Sequence, residues 1–420
     1  MPLNEYPCDE SWGYQATGFF SPTSRYGTAD QLKAFIDACH KHNIGVLMDF
    51  VPVHFAVDAY GLANYDGTAL YEYPNSAVGV SEWGSCNFMH SRGETRSFLQ
   101  SCANYWISEF HMDGIRMDAI SRIIYWQGEP ARGVNNNAVD FIREMNRGLK
   151  TLHPTIMLSA EDSTSFEGVT KPADQGGLGF DYKWDMGWMN DTLDYFRTAP
   201  EYRSRDYHKL TFSMMYYYND DFLLPLSHDE VVHGKATIAQ KMHGEYEEKF
   251  PQARAFYMYM YAHPGKKLNF MGNEIGQLRE WDEKREQDWD ILKYPIHDAF
   301  HHFMQKLNHL YMTTPALSAK DYENAGFHWL DCHQEERCIY AFERTDGKER
   351  IAAVFNFSDE DQKGYELPVE DAKELEVILA SDDETFGGCK KYTKKKVKVT
   401  DGKAVLDLSA YSAVYYSIAV

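Results

Sequence analysis

No run of roughly 18 or more apolar residues occurs in the sequence, which excludes a membrane-spanning helix. GxGxxG and the P-loop are also missing, so neither a dinucleotide nor a nucleotide phosphate has its usual cradle. The start, Met1-Pro2-Leu3-Asn4-Glu5, lacks the basic residues and apolar stretch of a secretory signal. Cysteine is sparse: seven residues, at 8, 39, 86, 102, 332, 338 and 389, never spaced as CxxC. That pattern predicts reduced thiols in a cytoplasmic protein, not a disulfide framework or a zinc site. Positive charge is short as well. Lys and Arg total 42 against 63 Asp and Glu, a net charge of −21, which argues against nucleic acid or an anionic membrane as partner. Aromatic residues, by contrast, are plentiful at 15%, with 29 Tyr and 9 Trp. Flat rings with a polar edge suit sugar faces, so composition leans toward a neutral carbohydrate.

With 420 residues, 44% of them hydrophobic, the chain is long enough for a large core and two domains. Up to residue 314 short apolar runs alternate with amphipathic stretches. Thr28-Ala29-Asp30-Gln31 has the form of a capping box, and Leu32, Phe35, Ile36 and Cys39 then share one helical face. Strands are predicted at 44–49, 113–118, 156–161, 179–182, 222–227 and 267–271, and helices at 94–110, 137–151, 253–262 and 297–311. A segment from about 55 to 90, rich in Gly, Asp and Tyr, has little periodicity and is expected to be an insertion. Alternating β and α over this length predicts an α/β fold of the parallel (β/α) barrel type for residues 1–314. After Pro315 the pattern changes. Cys338–Arg344 and Arg350–Phe357 flank the turn Asp346-Gly347, and Lys394–Thr400 and Ala404–Leu408 flank Asp401-Gly402. These hairpin signals predict an antiparallel all-β domain at 315–420. The lysine-rich run Lys390–Lys396 is expected to protect an exposed edge strand.

Several of the buried strands end in ionisable residues. Asp49 closes the first and is followed by His54; Arg116 and Asp118 close the second; Glu161 and Asp162 the third; His228, Asp229 and Glu230 a later one. A single strand-ending Asp is ordinarily a helix cap or a solvated loop residue. Four such ends in one parallel barrel would converge on one rim, where barrel enzymes keep their active sites. Arg116 and Asp118 are two apart on a strand, hence on one face about 6.5–7 Å apart. The cation beside it would keep Asp118 ionised. Two carboxyl groups, one ionised and one protonated, are the equipment of glycosidic cleavage, about 5–5.5 Å apart in retaining enzymes.

The segments Asp49–His54 (DFVPVH), Gly114–Ser121 (GIRMDAIS), Ala160–Thr164 (AEDST) and Leu226–Lys235 (LSHDEVVHGK) resemble, in order, four conserved regions of the α-amylase superfamily, glycoside hydrolase family 13. The last of them, with Ser11–Tyr14 (SWGY), Phe19–Thr28 (FFSPTSRYGT), Gly176–Trp188 (GGLGFDYKWDMGW) and His263–Gly276 (HPGKKLNFMGNEIG), resembles its 1,4-α-glucan (glycogen) branching-enzyme subgroup. The resemblance implies Asp118 as nucleophile, Glu161 as general acid/base, and Asp229 as a carboxylate on the sugar hydroxyls beside the cleaved bond. It implies that Arg116 holds Asp118 ionised, that His54 and His228 bind hydroxyls, that Tyr14 is a stacking platform, and that Asp49 is part structural and part substrate-facing. His233 receives no role. The implied partner is an α-1,4-glucan such as glycogen, and the implied reaction makes α-1,6 branches by retaining double displacement with no cofactor or metal. Asp58 and Asp66 fall in no calcium pattern. Tyr60, Tyr65, Tyr71, Tyr73 and Trp83 are candidates to line an acceptor groove. The same resemblance admits an α-glucan hydrolase, or a glucan-binding fragment of low activity. The family's barrel has eight strands behind a carbohydrate-binding domain, and this sequence opens near the end of the second strand. The expected fold is therefore a (β/α)8-type barrel lacking its first one to two strands, followed by an antiparallel β-sandwich.

Overall fold

The computed structural model describes residues 1–392 and 396–419. Two compact units divide the chain: Met1–Trp184 with Asn219–Asp221, and Asp185–Tyr218 with Phe222 onward.

In the first unit, helix α1 (Ala29–Lys41) opens with the expected capping box, Thr28 Oγ1 accepting from Gln31 N and the Gln31 side chain accepting from Thr28 N. Strand β1 (Leu47–Phe50), helix α2 (Gly93–Phe110), strand β2 (Gly114–Met117), helix α3 (Asn136–Leu152), strand β3 (Met157–Ala160) and strand β4 (Tyr182–Trp184) follow. The four strands are parallel in the order β4-β3-β2-β1. Every β2 residue is buried, as a parallel strand covered on both faces requires. Gly114 lets the strands close up, since a Cβ there would meet the Met157 carbonyl oxygen at 2.3 Å. The register pairs Asp49 with Arg116, Arg116 with Ser159 and Ser159 with Tyr182, one row across the sheet. The helices bury one face each. Leu99, Cys102, Ala103, Trp106, Ile107 and Phe110 of α2 and Phe141, Ile142, Met145 and Leu149 of α3 belong to one core. Helix α1 departs from expectation. Of its apolar face only Ile36 is buried, while Phe35 is 60% exposed. Neighbouring β1 ends the sheet with β2 as its sole strand partner among the described residues, and its Leu47 is likewise exposed.

The second unit holds helix α4 (Met186–Arg197), strand β5 (Phe222–Leu226), helix α5 (Tyr246–Ala262), strand β6 (Lys266–Asn269, parallel to β5) and helix α6 (Pro295–Thr313). Eight antiparallel strands complete it: β7 (Phe327–Gln334), β8 (Ile339–Thr345), β9 (Arg350–Asn356), β10 (Gln362–Pro368), β11 (Glu374–Ala380), β12 (Lys396–Thr400), β13 (Lys403–Leu408) and β14 (Ser412–Ala419). Their order is β7-β8-β9-β14-β11-β12-β13-β10, and side chains of β8, β9, β14 and β11 enclose a separate core with those of β10, β12 and β13. Both expected hairpins form, β8–β9 and β12–β13. At the second turn Asp401 and Gly402 both take positive φ, 53° and 73°, the twist a tight hairpin needs. The lysine-edge expectation fails. Strand β12 pairs on both sides, with β11 and β13, and Lys396 is ion-paired to Glu374 at 2.5 Å. Lys394 and Lys395, the first residues of that expected strand, lie outside the described residues. No helix among the described residues is long and apolar enough to cross a membrane.

A buried ion pair ties α5 to the antiparallel sheet. Arg344, on β8, contacts Asp321 Oδ1 at 2.7 Å and donates to the carbonyls of Ala262 at 2.5 Å and Gly326 at 3.0 Å. Burial pushes the Asp321 pKa up, but Lys267, Arg344 and Lys266 outweigh it and hold the carboxyl below its ordinary value. A folded pKa below the unfolded one stabilises the fold above the unfolded value, and that contribution fades as the pH falls. Asp321→Ala should therefore cost about 3–5 kcal/mol at pH 7, by stranding the Arg344 charge. The gap between variant and parent in urea titrations should narrow below about pH 4.

Candidate active site

The sheet register decides which side chains meet. Asp49, Arg116 and Ser159 stand in one row, so their side chains leave the same face. Asp118 and Glu161, each two residues further along its strand direction, project to that face beyond the strand ends. The turn that follows Asp118 is tight. Ala119 sits at φ 45°, an unusual value for a residue with a Cβ, and Ile120 N donates to the Glu161 carbonyl at 2.9 Å. Asp118 N donates to Phe50 O at 3.0 Å, so the Asp118 loop is tied to both neighbouring strands.

One cation organises the cluster. Arg116, only 4% exposed, contacts Asp49 Oδ2 at 2.8 Å and Asp118 Oδ1 at 3.1 Å through Nη1, and Glu161 Oε2 through Nη2. The Trp184 ring lies 4.3 Å from the guanidinium carbon, a cation–π contact. Tyr14 donates to Asp49 Oδ2 at 2.6 Å and accepts from Arg116 at 3.1 Å. Burial pulls the Arg116 pKa down, but Asp49, Tyr14 and Asp118 outweigh it and raise it above its ordinary value. Burial, and then the Asp49 charge, pushes the Tyr14 phenol well up, so it remains a donor. Three carboxylates thus share one permanent cation.

The remaining expected residues have other neighbours. His54 is buried, its Nδ1 2.7 Å from Ser85 Oγ and its ring 5.1 Å from that of Trp83. Tyr60 and Tyr65 of the 55–90 segment are exposed. In the second unit, His228 and Asp229 follow the C-terminal end of β5. His228 is buried with its ring 6.0 Å from that of Phe270, and its Nε2 is 3.4 Å from Oδ1 of the half-exposed Asp229. Two features escaped sequence reasoning. Trp184 has a signal in the motif Gly176–Trp188, although nothing there marks it as the lid of a cation. Asp162 stands with Glu161 at its strand end in the sequence, but its ion partner is not legible there. It is buried and 2.9 Å from Lys183 Nζ, which also donates to Thr164 O, so it fixes the loop that follows Glu161.

Residues 84–360 match the family described as "Alpha amylase, catalytic domain". The chain belongs to the alpha-amylase family. Residues 329–419 match that family's C-terminal all-beta domain. The chain is 44% identical over 401 residues to the 1,4-alpha-glucan branching enzyme GlgB of Bacillus cereus (strain G9842), and equally so to that of Bacillus anthracis. Each alignment takes in 95% of this chain and 62% of the relative, so the chain spans about three-fifths of the length of these relatives. Among solved structures it is similar to an alpha-amylase of Geobacillus thermoleovorans complexed with acarbose, with a TM-score of 0.73 and 16% identity over 100% of this chain and 87% of that one. An Anoxybacillus alpha-amylase gives 0.68 and 18% over 100% and 85%. At such identities these two show the fold: a (β/α) barrel of alpha-amylase type, with six parallel strands among the described residues, and a C-terminal antiparallel β domain.

Two measurements follow from the site. Arg116→Met should destabilise the protein by about 3–5 kcal/mol at pH 7 in urea titrations, because three carboxylates lose their common counter-ion. His54, whose pKa burial lowers to about 4, should show no imidazole protonation by NMR between pH 8 and pH 5. Protonation near pH 6.5 would mean that its ring is open to water.

Proposed function

We propose that this chain carries out the branching reaction of its GlgB relatives: cleavage of an α-1,4-glucan and transfer of the released segment to a 6-hydroxyl, in the cytoplasm. The observation that supports this most is the contact of one buried guanidinium with both Asp118 and Glu161. In this reading Asp118 attacks the anomeric carbon while Glu161 protonates the departing oxygen, leaving a glycosyl ester. Glu161 supplies the proton in that step as general acid. The 6-hydroxyl of a second chain then breaks the ester, with Glu161 as base.

Asp49, Arg116 and Tyr14 hold the nucleophile in place; Asp229, His228 and His54 bind sugar hydroxyls. The proposed domains are 1–314 for the barrel, with its insertion at about 55–90, and 315–420 for the β domain. A second reading, α-glucan hydrolysis, draws on the fold shared with alpha-amylases. It uses the same carboxylates with water as acceptor.

Amylose incubated with the protein should lose iodine absorbance with few new reducing ends. Reducing ends released in proportion to that loss would establish hydrolysis instead. Glu161→Gln should lower the rate by about 10²–10⁴-fold, and Asp118→Asn at least as much. Full activity in Asp118→Asn would overturn both readings.

A further inference from the structure

Residues 80–86 form a tight hairpin beside His54. Val80 and Cys86 pair across it, Ser81 N donates to Ser85 O at 2.8 Å, and Gly84 N donates to Ser81 O at 3.1 Å. Gly84 takes φ 74°, a value that side chains resist. Arg122 pins the turn from outside, its Nη2 lying 2.5 Å from Glu82 Oε1. Within it, Ser81 Oγ is 2.5 Å from Ser85 Oγ, which is 2.7 Å from His54 Nδ1. All three residues are buried, Ser85 completely.

A chain of hydroxyls can usually run either way, but here the protons have one consistent arrangement. A hydroxyl offers one proton and two lone pairs. Ser81 Oγ accepts from Trp83 N and from Ser85 N, both at 3.2 Å, which fills both lone pairs. Its own proton therefore goes to Ser85 Oγ. The Ser85 proton then has His54 Nδ1 as its acceptor. Were Nδ1 to donate instead, a wholly buried O–H would have no acceptor among the described residues, which is costly in a dry interior. Burial lowers the His54 pKa to about 4, so the ring is neutral at pH 7. A neutral imidazole that accepts at Nδ1 carries its proton on Nε2. The Trp83 ring, 5.1 Å from the imidazole, comes from the same turn, so one turn sets both the proton and the neighbour of His54.

We propose that Ser81 and Ser85 are positioning residues that fix His54 as the Nε2–H tautomer, so that the imidazole meets a bound sugar as a hydrogen-bond donor. The sugar oxygen facing it is thereby an acceptor. The other tautomer would present a lone pair at Nε2 and select a donating hydroxyl instead. The sugar contact rests on the reading above that His54 binds a hydroxyl; the tautomer does not depend on it.

The test is nitrogen-15 NMR of the histidine rings in the intact chain at pH 7, with the His54 signals identified by their loss in His54→Gln. The parent should carry a proton on Nε2 and none on Nδ1. Ser85→Ala and Ser81→Ala should each admit the Nδ1–H form, whereas Ser85→Thr, which keeps the hydroxyl, should retain the parent's tautomer. With amylose, Ser85→Ala should lower kcat/KM about 3–10-fold, the weight of one neutral hydrogen bond, and Ser85→Thr should restore it to within about twofold. A proton on Nδ1 in the parent, or a tautomer unmoved in both alanine variants, would overturn the proposal. A rate that Ser85→Thr fails to restore, although it keeps the tautomer, would overturn the link to the sugar. If the parent leaves amylose unchanged while the tautomers follow the serines, the branching reading fails and the serine chain stands.

Discussion

A buried guanidinium must be repaid by anions, and Arg116 is repaid threefold. Asp49 and Asp118 reach it from one side and Glu161 from the other, with Trp184 over its face. Charge of this density below a half-open surface is tolerable only if the positions are fixed. The sheet does that, through the row that aligns Asp49 with Arg116 and through the ties from Asp118 to Phe50 and from Ile120 to Glu161. Fixed dipoles and charges that need no rearrangement are what a reaction through a charged transition state requires.

Much of this was legible because its signals are local. Parallel strands covered on both faces read as apolar runs, and their ends stood out because an ionisable residue after such a run has few structural uses. The helix at Thr28 announced itself by its cap. Strand β4 was expected at 179–182 and runs Tyr182–Trp184; Gly176 and Gly179 take left-handed φ, which delays the strand past the glycine-rich turn.

What depends on long-range packing was not readable. The apolar stripe of α1 predicted a buried face, and the fold fully buries only Ile36, leaving Leu32 and Cys39 half-buried and Phe35 exposed. The lysine run suggested an edge, yet β12 is an interior strand whose Lys396 is neutralised by Glu374 from the next strand. Nothing near residue 184 in the sequence says that its indole will cover an arginine 68 positions earlier, because that contact exists only once β2, β3 and β4 are side by side.

The place of β1 at the end of its sheet among the described residues bears directly on the chemistry. Asp49 belongs to the strand that ends this sheet among the described residues, where the ladder to β2 runs along one flank. A strand held from one side drifts more readily than one held from both. Drift of Leu47–Phe50 would carry the Asp49 carboxylate off Arg116 and loosen the Phe50 carbonyl that anchors Asp118. Whatever hydrogen-bonds to that margin thereby sets how firmly the nucleophile is aimed.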